Sequence, residues 1–330
     1  MGNLRLAVIG TGRHGVRYAR HAARDVDGLE LAAVCRRDPA QGRALAEELG
    51  CSYTAEAGEL IESAEVDALV FALPPYLLAG LVPAAARSGK RLIVEKPVAL
   101  DLATGLEILE AVESSGVYCM AGHTLRFNSV ALALRELLPS IGTVHSVVMS
   151  QRFPPQTQLE WLDDPELSGG GNVLHTGVHC FDLLRFLTGL EPGTVSCQTR
   201  RVVTVDTEDN FTATITLEGR DRPDALAMVT CSRTAACYNG LIEISGTEGQ
   251  LVGDHVTGML YRLDARGRRE LVTADPVYTV KAALDRFVAD WRQQAPKAPV
   301  GYRDGLAAVA VADACYRAAA SGNITEVTRL

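Results

Sequence analysis

Three stretches of this chain carry residue types at spacings that can do chemistry. The first is Gly10-Thr11-Gly12-Arg13-His14-Gly15. Its G-x-G-x-x-G glycines follow an apolar, β-rich run from Leu4 to Ile9 and precede a helix-like segment from His14 to about Arg24. Gly10 permits the tight turn out of the strand, and Gly12 removes a Cβ so that a pyrophosphate can approach the backbone. Gly15 lets the helix pack closely on the strand. The free N–H groups and the positive end of the helix then face an anion, which is the chemistry of dinucleotide binding. The second stretch is Glu95-Lys96-Pro97, at the end of another apolar run. A lysine partly desolvated beside a cofactor can be tuned toward neutrality and exchange a proton with a substrate hydroxyl; a strand-exit lysine before a proline is the plainer alternative. The third is Gly169 to Asp182, with His175 and His179 four residues apart on one helical face. That spacing suits a metal pair, a structural pair, or proton transfer and hydrogen bonding to substrate. The Glu that follows the first His of an H-E-x-x-H zinc site is replaced by Thr176, and no Cys or His offers a convincing third ligand. Asp182 stands three residues beyond His179, either to orient it or as a solvated helix charge.

The elements that must hold these groups follow from hydrophobic pattern. Strand-like runs at Leu29 to Cys35, Val66 to Leu73, Arg91 to Val94 and 117–121 alternate with helical segments at Ala40 to Leu49, Leu78 to Ser88 and 101–115. With the first strand they make a doubly wound parallel sheet over residues 1–122, an α/β Rossmann domain. In such a sheet ligand lies at the carboxyl ends of the strands, where Gly10–Gly15, Leu73-Pro74-Pro75-Tyr76 and Glu95-Lys96-Pro97 all fall. After the second strand NAD-binding units place an acidic residue for the ribose 2′-hydroxyl; here Arg36 and Arg37 stand there. A guanidinium clamps a 2′-phosphate that a carboxylate would repel, so NADP(H) is favoured, with NAD(H) the second choice. From 123 to 330 the pattern changes. A helix at Ser129 to Leu138, a strand at Val144 to Phe153 and a helix at Val173 to Leu187 come first. Strand-like runs at 194–205, 210–217, 225–233, 240–245, 250–253 and 258–263 follow, and helices at 278–294 and 303–321 close the chain. Neighbouring strands without helices between them predict an α+β domain with an open, mostly antiparallel sheet.

Composition narrows the function class. At 47% hydrophobic and 22% charged residues the chain reads as globular, and 330 residues call for two domains. A net charge of −8 argues against nucleic acid or an anionic membrane as partner. Eight scattered cysteines without a C-x-x-C pair fit a reducing compartment, and the absence of a leader-like segment before Leu4 leads to the expectation of a cytoplasmic protein. The uncharged stretch from Ala68 to Ala86 is long enough to span a bilayer, but Pro74, Pro75, Gly80 and Pro83 break it into strand, loop and helix.

As a set, Val8-Ile-Gly-Thr-Gly12, Leu73-Pro-Pro75, Val94-Glu-Lys-Pro97, Gly122-His-Thr-Leu-Arg-Phe-Asn128, the Gly169–Asp182 run and Gly246-Thr-Glu-Gly249 resemble the glucose-fructose oxidoreductase/inositol dehydrogenase/rhizopine-catabolism (Gfo/Idh/MocA) family. The resemblance implies NAD(P)-dependent oxidation of a sugar, polyol or related hydroxyl, or the reverse reduction. It also implies a homodimer or homotetramer assembled through the C-terminal sheet. By position Lys96 and His179 match the family's proton-handling residues, contributed by separate domains and expected to meet over the nicotinamide. Glu95 and Pro97 shape the nicotinamide side, and Tyr76, Arg126, Trp161 and His175 fall to the substrate pocket. The family often has Asp where this chain has His175, which exchanges an acceptor-only carboxylate for a ring that also donates and titrates near about 6.5. A non-redox NADP(H)-sensing or partner-binding protein is the competing class, which has no need of proton-transfer groups such as Lys96 and His179. A metal-dependent hydrolase built on His175 and His179 is the third.

Overall fold

The computed structural model describes residues 2–155, 160–219 and 224–330. Elements alternate from the start: β1 (Leu4–Ile9), α1 (Gly15–Arg24), β2 (Leu29–Cys35), α2 (Pro39–Leu49), β3 (Ser52–Thr54), α3 (Ala57–Glu62), β4 (Ala68–Phe71), α4 (Leu78–Arg87), β5 (Arg91–Val94), α5 (Leu102–Ser115) and β6 (Cys119–Ala121). There follow α6 (Ser129–Leu137), β7 (Val144–Arg152), the single turn α7 (Pro165–Ser168), α8 (Val178–Thr188) and β8 (Glu191–Arg200). Then come β9 (Asn210–Glu218), β10 (Ala225–Ser232), β11 (Asn239–Gly246), β12 (Gly249–Asp254), β13 (Met259–Asp264) and β14 (Arg269–Leu271), and α9 (Thr279–Arg292), α10 (Tyr302–Ser321) and β15 (Thr325–Glu326) end the chain. Contacts divide it into two units, Met1–Thr124 with Tyr278–Leu306, and Leu125–Val277 with Ala307–Leu330.

In the first unit six strands lie in the order β3-β2-β1-β4-β5-β6, every pair parallel. The order reverses between β1 and β4, and the loops leaving the carboxyl ends there are those that carry the Gly10–Gly15 and Pro74–Tyr76 motifs. β4 is buried at every residue and β1 at all but Arg5, because helices cover both faces of a parallel sheet. Side chains fix where helices begin: the Asp38 carboxylate accepts from the Ala40 and Gln41 N–H groups at α2, and Asp101 from Thr104 at α5. Sequence pattern missed β3 and α3, a three-residue strand with no fully buried position and one and a half turns of helix.

The second unit is built on a nine-stranded sheet, β14-β13-β12-β11-β7-β10-β9-β8-β15, antiparallel throughout except for β7 against β10. β9 and β10 alternate cleanly. Phe211, Ala213, Ile215, Leu217, Ala227 and Val229 point into the core, while Leu226 and Met228 are 64% and 40% exposed on the opposite face. β8 stops at Arg200 rather than 205 because the Asp209 carboxylate takes the N–H groups of Val202, Val203 and Thr204, which bends the chain away from the ladder. The helical segment after Asn172 opens with a π-helical turn, Val173–Gly177, before α8 continues it. Among the described residues no helix is long and apolar enough to cross a membrane, and the eight cysteines are free thiols.

Candidate active site

In the first unit the candidate residues are organised around one buried carboxylate. Glu95, at the end of β5, accepts the Tyr18 hydroxyl at 2.5 Å and the His14 Nε2–H at 3.0 Å on Oε1, and the Lys96 backbone N–H at 3.1 Å on Oε2. His14 closes the glycine loop and Tyr18 lies one turn into α1, so the loop after β1 and the end of β5 are tied to the same group. Burial pushes the Glu95 carboxyl up, but the charge and hydrogen bond of His14, the Lys96 charge and the Tyr18 hydroxyl more than reverse this and hold it low. Burial and the neighbouring Glu95 charge push the Tyr18 phenol well above its ordinary value, so it serves as a donor and not as a proton source. Lys96 is half-buried, and its bond to Pro97 is cis.

The glycine loop separates two reasons for being glycine. A Cβ on Gly15 would lie 2.1 Å from the Gly10 carbonyl oxygen, and one on Gly10, whose φ is +93°, would lie 2.5 Å from the Ala72 oxygen and 2.6 Å from the Leu73 side chain. Those two are demanded by the turn itself. A Cβ on Gly12 would meet no protein atom within 4 Å, so nothing in the fold asks for glycine there; the cradle is kept open on its outer side. Gly12 and Arg13 are exposed and His14 half-buried, at the start of a helix that no side chain caps and whose first turn has no acidic residue. Such a start fits the phosphates of a dinucleotide. Thr11 is wholly buried, its hydroxyl donating to the Cys35 carbonyl at 3.4 Å. Arg36 leaves β2 to donate to the Thr11 carbonyl and to the Gln41 side chain, and Arg37 is exposed beside it. Leu73, Pro74 and Tyr76 are half-buried and Pro75 is buried at the end of β4.

The remaining candidate residues lie in the second unit. His175 is 9% exposed, and its Nε2 stands 2.9 Å from the Ser168 carbonyl oxygen. That oxygen can only accept, so Nε2 carries the hydrogen. Trp161 meets His175 edge to face, with 5.5 Å between ring centres. The Trp161 turn is fixed by Asp163, whose carboxylate accepts from the Val205, Asp206 and Thr207 N–H groups and from the Thr207 hydroxyl. His179 is half-buried on the first turn of α8. Because the preceding turn is π-helical, its phase relative to His175 differs from that of an unbroken α-helix. Asp182 is 1% exposed and receives Arg126 in a two-point ion pair, Nε to Oδ2 at 2.8 Å and Nη2 to Oδ1 at 2.6 Å. Among the described residues no group of three or more His, Cys, Asp or Glu side chains is arranged to hold a metal ion.

Residues 4–123 match the model of the oxidoreductase family with an NAD-binding Rossmann fold, and residues 132–252 match the Gfo/Idh/MocA C-terminal domain. The chain belongs to the Gfo/Idh/MocA family of oxidoreductases. Among members of this family it is 29% identical over 333 residues to an inositol 2-dehydrogenase of Rhizobium meliloti, covering 96% of this chain and 97% of that one. Solved structures of the same fold include a levoglucosan dehydrogenase in complex with NADH and levoglucosan, with TM-score 0.88, 21% identity and coverage of 99% and 100% of the two chains. Another is an aldose-aldose oxidoreductase from Caulobacter crescentus complexed with glycerol, with TM-score 0.88, 23% identity and coverage of 98% and 99%.

Within this Gfo/Idh/MocA chain, three residues that shape the site escaped the sequence reading. Tyr18 carried a signal: it falls on the core face of α1 with Gly15, Ala19 and Ala22, where a buried hydroxyl must find a partner. Asp163 and Glu208 gave none, since the groups they hold lie 42–44 and 35–37 residues away along the chain.

Proposed function

We propose that this protein is an NADP(H)-preferring dehydrogenase or reductase acting between a secondary hydroxyl and the corresponding carbonyl of a sugar, polyol or related small molecule. The observation that carries this reading is the Glu95 junction, which ties the dinucleotide loop through His14 and Tyr18 to the backbone of Lys96. The backbone that carries the Lys96 side chain is thereby fixed at a strand end beside the loop that suits a cofactor. The relatives' names, inositol and levoglucosan dehydrogenases among them, support the substrate class. The preference for NADP(H) rests on Arg36 and Arg37, which bring guanidinium groups to the place where NAD-specific units set a carboxylate. The NADH in the levoglucosan dehydrogenase complexes keeps NAD(H) as the second choice.

Bound NADP(H) supplies the redox step by accepting or giving a hydride. The chain's own residues do the rest. Gly12 and the uncapped start of α1 receive the diphosphate, with Arg36 and Arg37 on the 2′-phosphate. Lys96, as an ammonium, stabilises the alkoxide that develops on the substrate oxygen, and His179 takes or returns the hydroxyl proton. His175, with Nε2–H turned to Ser168, lines the substrate pocket at the position where the family often has Asp. Tyr76, Arg126 and Trp161 give the pocket its shape. The exposed Leu226 and Met228 on the outer sheet face support assembly into a homodimer or homotetramer through that sheet, and the reading takes the protein to be cytoplasmic.

The test is nicotinamide absorbance over a panel of inositols, aldoses, keto-sugars, anhydrosugars and diols with each cofactor in both directions. Turnover with at least one polyol or sugar, faster with NADP(H), is expected. Cofactor binding without turnover on any member of the panel contradicts the reading.

A further inference from the structure

The helical segment that carries His175 and His179 begins without a cap of its own: Asn172, the residue before it, makes no side-chain hydrogen bond to its N–H groups. Its first donors are instead satisfied from far along the chain. Gly171 N–H donates to Glu208 Oε2 at 3.1 Å, Asn172 N–H to the Glu208 backbone oxygen at 2.8 Å, and Val173 N–H to Glu208 Oε1 at 2.8 Å. One residue thus takes three successive N–H groups at a helix start, groups that otherwise have no partner within the helix.

The surroundings are built to keep Glu208 there. The Tyr316 hydroxyl, from α10, donates to Oε1 at 3.0 Å, and the Arg233 guanidinium lies against the Glu208 carbonyl at 3.4 Å. Arg233 is 8% exposed, with Asp163 and Asp209 the other carboxylates around it. A Cβ on Gly171 would lie 1.9 Å from the Glu208 oxygen, and one on Gly170 would lie 2.1 Å from the Tyr316 hydroxyl. The glycine run is therefore the close contact between the histidine segment and its cap. Downstream, the first turn leads directly to His175, whose N–H donates to the Gly171 carbonyl at 3.0 Å and whose ring is hooked to Ser168.

We propose that Glu208 is a positioning residue for the two histidines: by holding the Gly171, Asn172 and Val173 N–H groups it sets the start, and hence the phase, of the segment that aims His175 and His179. The assignment rests on His179 being the proton-handling residue proposed above. A shift of about 1 Å in such a group costs turnover on the order of 100-fold, so the anchor matters to catalysis without touching substrate.

Glu208→Gln tests this, because it keeps the volume but turns an amide NH₂ toward a donor that needs an acceptor. Two readouts are taken, the ring NMR titrations of His175 and His179, assigned through their Ala variants, and kcat with saturating cofactor. The expected result is a chain that melts cooperatively, with ring titration midpoints moved by about half a unit or more and kcat down about tenfold or more. Folded Glu208→Gln protein with wild-type ring titrations and wild-type kcat overturns the proposal. So does a fall in kcat that only follows the folded fraction while the rings titrate unchanged. If Glu208→Gln does not fold, Tyr316→Phe, which removes one donor from Oε1 and keeps the packing, replaces it; smaller shifts of the same rings are expected, and unmoved rings overturn the proposal. His179→Ala keeps the two readings apart. Wild-type turnover in that variant defeats the assigned role of His179, whereas loss of turnover there together with unmoved rings in Glu208→Gln defeats only the role of Glu208.

Discussion

Two helix starts in this molecule use the same chemistry to opposite ends. α1 begins after a glycine loop with no side-chain cap, no acid in its first turn and open space beside Gly12. The histidine segment begins after another glycine run, yet its first three N–H groups are closed by Glu208. An uncapped start keeps its donors and positive end for an anionic ligand, while a start capped from within spends them on fixing side chains. Glycine means something different in each. At Gly12 it leaves room for a molecule outside the chain; at Gly171 it leaves room for the chain itself.

Breaking the closed start from its other end should have the largest effect. Arg126→Ala leaves Asp182, on the second turn of α8, buried without its two-point partner, and should lower stability by about 3–5 kcal/mol in a denaturant titration. A loss under about 1 kcal/mol means that the pair does not hold the helix. Gly12→Ala sharpens the contrast at the open start. No protein atom meets the added methyl, so the melting temperature should stay unchanged while NADPH affinity falls on the order of 100-fold by fluorescence titration. A variant that binds as the wild type does takes away the ligand reason for that glycine. Arg36→Asp comes next, with NADPH affinity down about 10- to 30-fold and NADH affinity nearly kept; equal losses remove the 2′-phosphate argument.

The smallest effect is in pH. Burial raises the Glu208 carboxyl above its ordinary value, a rise only partly offset by the Val173, Tyr316 and Gly171 donors. From about pH 4.3, where an unfolded glutamate ionises, up to that raised value, the folded chain holds a proton that the unfolded chain has lost. Wild-type stability should therefore fall as pH rises through that window, and in Glu208→Gln this part of the slope should vanish. Parallel stability–pH curves for the two proteins contradict it.

What sequence could show divides along the same line as the two starts. The glycine loop, β1 and the strand end before Lys96 were legible because each is a local pattern: a strand, the turn that leads from it into a helix, and an apolar run ending at a charged residue. The strands β9 and β10 were legible for the same reason, as the runs 210–217 and 225–233. The π-helical turn was not, since Val173 to Gly177 has an ordinary helical pattern. Asp182 was read either as orienting His179 or as a solvated charge, and the ion pair with Arg126, 56 residues away, belongs to neither. Glu208 and Asp163 show nothing unusual beside their neighbours in sequence. They are long-range acceptors, and such groups become visible only when the N–H groups they serve are counted. The same holds for Arg36: its place after β2 was plain, but its grip on the Thr11 carbonyl was not.

Whether Lys96 and His179 handle the proton in a nicotinamide-dependent reaction is decided by single-turnover hydride transfer in Lys96→Ala and His179→Ala. On the best substrate of the panel each variant should fall by on the order of 10²- to 10⁴-fold, with NADPH affinity within about twofold of wild type. Hydride transfer at close to the wild-type rate in both variants would remove both residues from the proton-handling role.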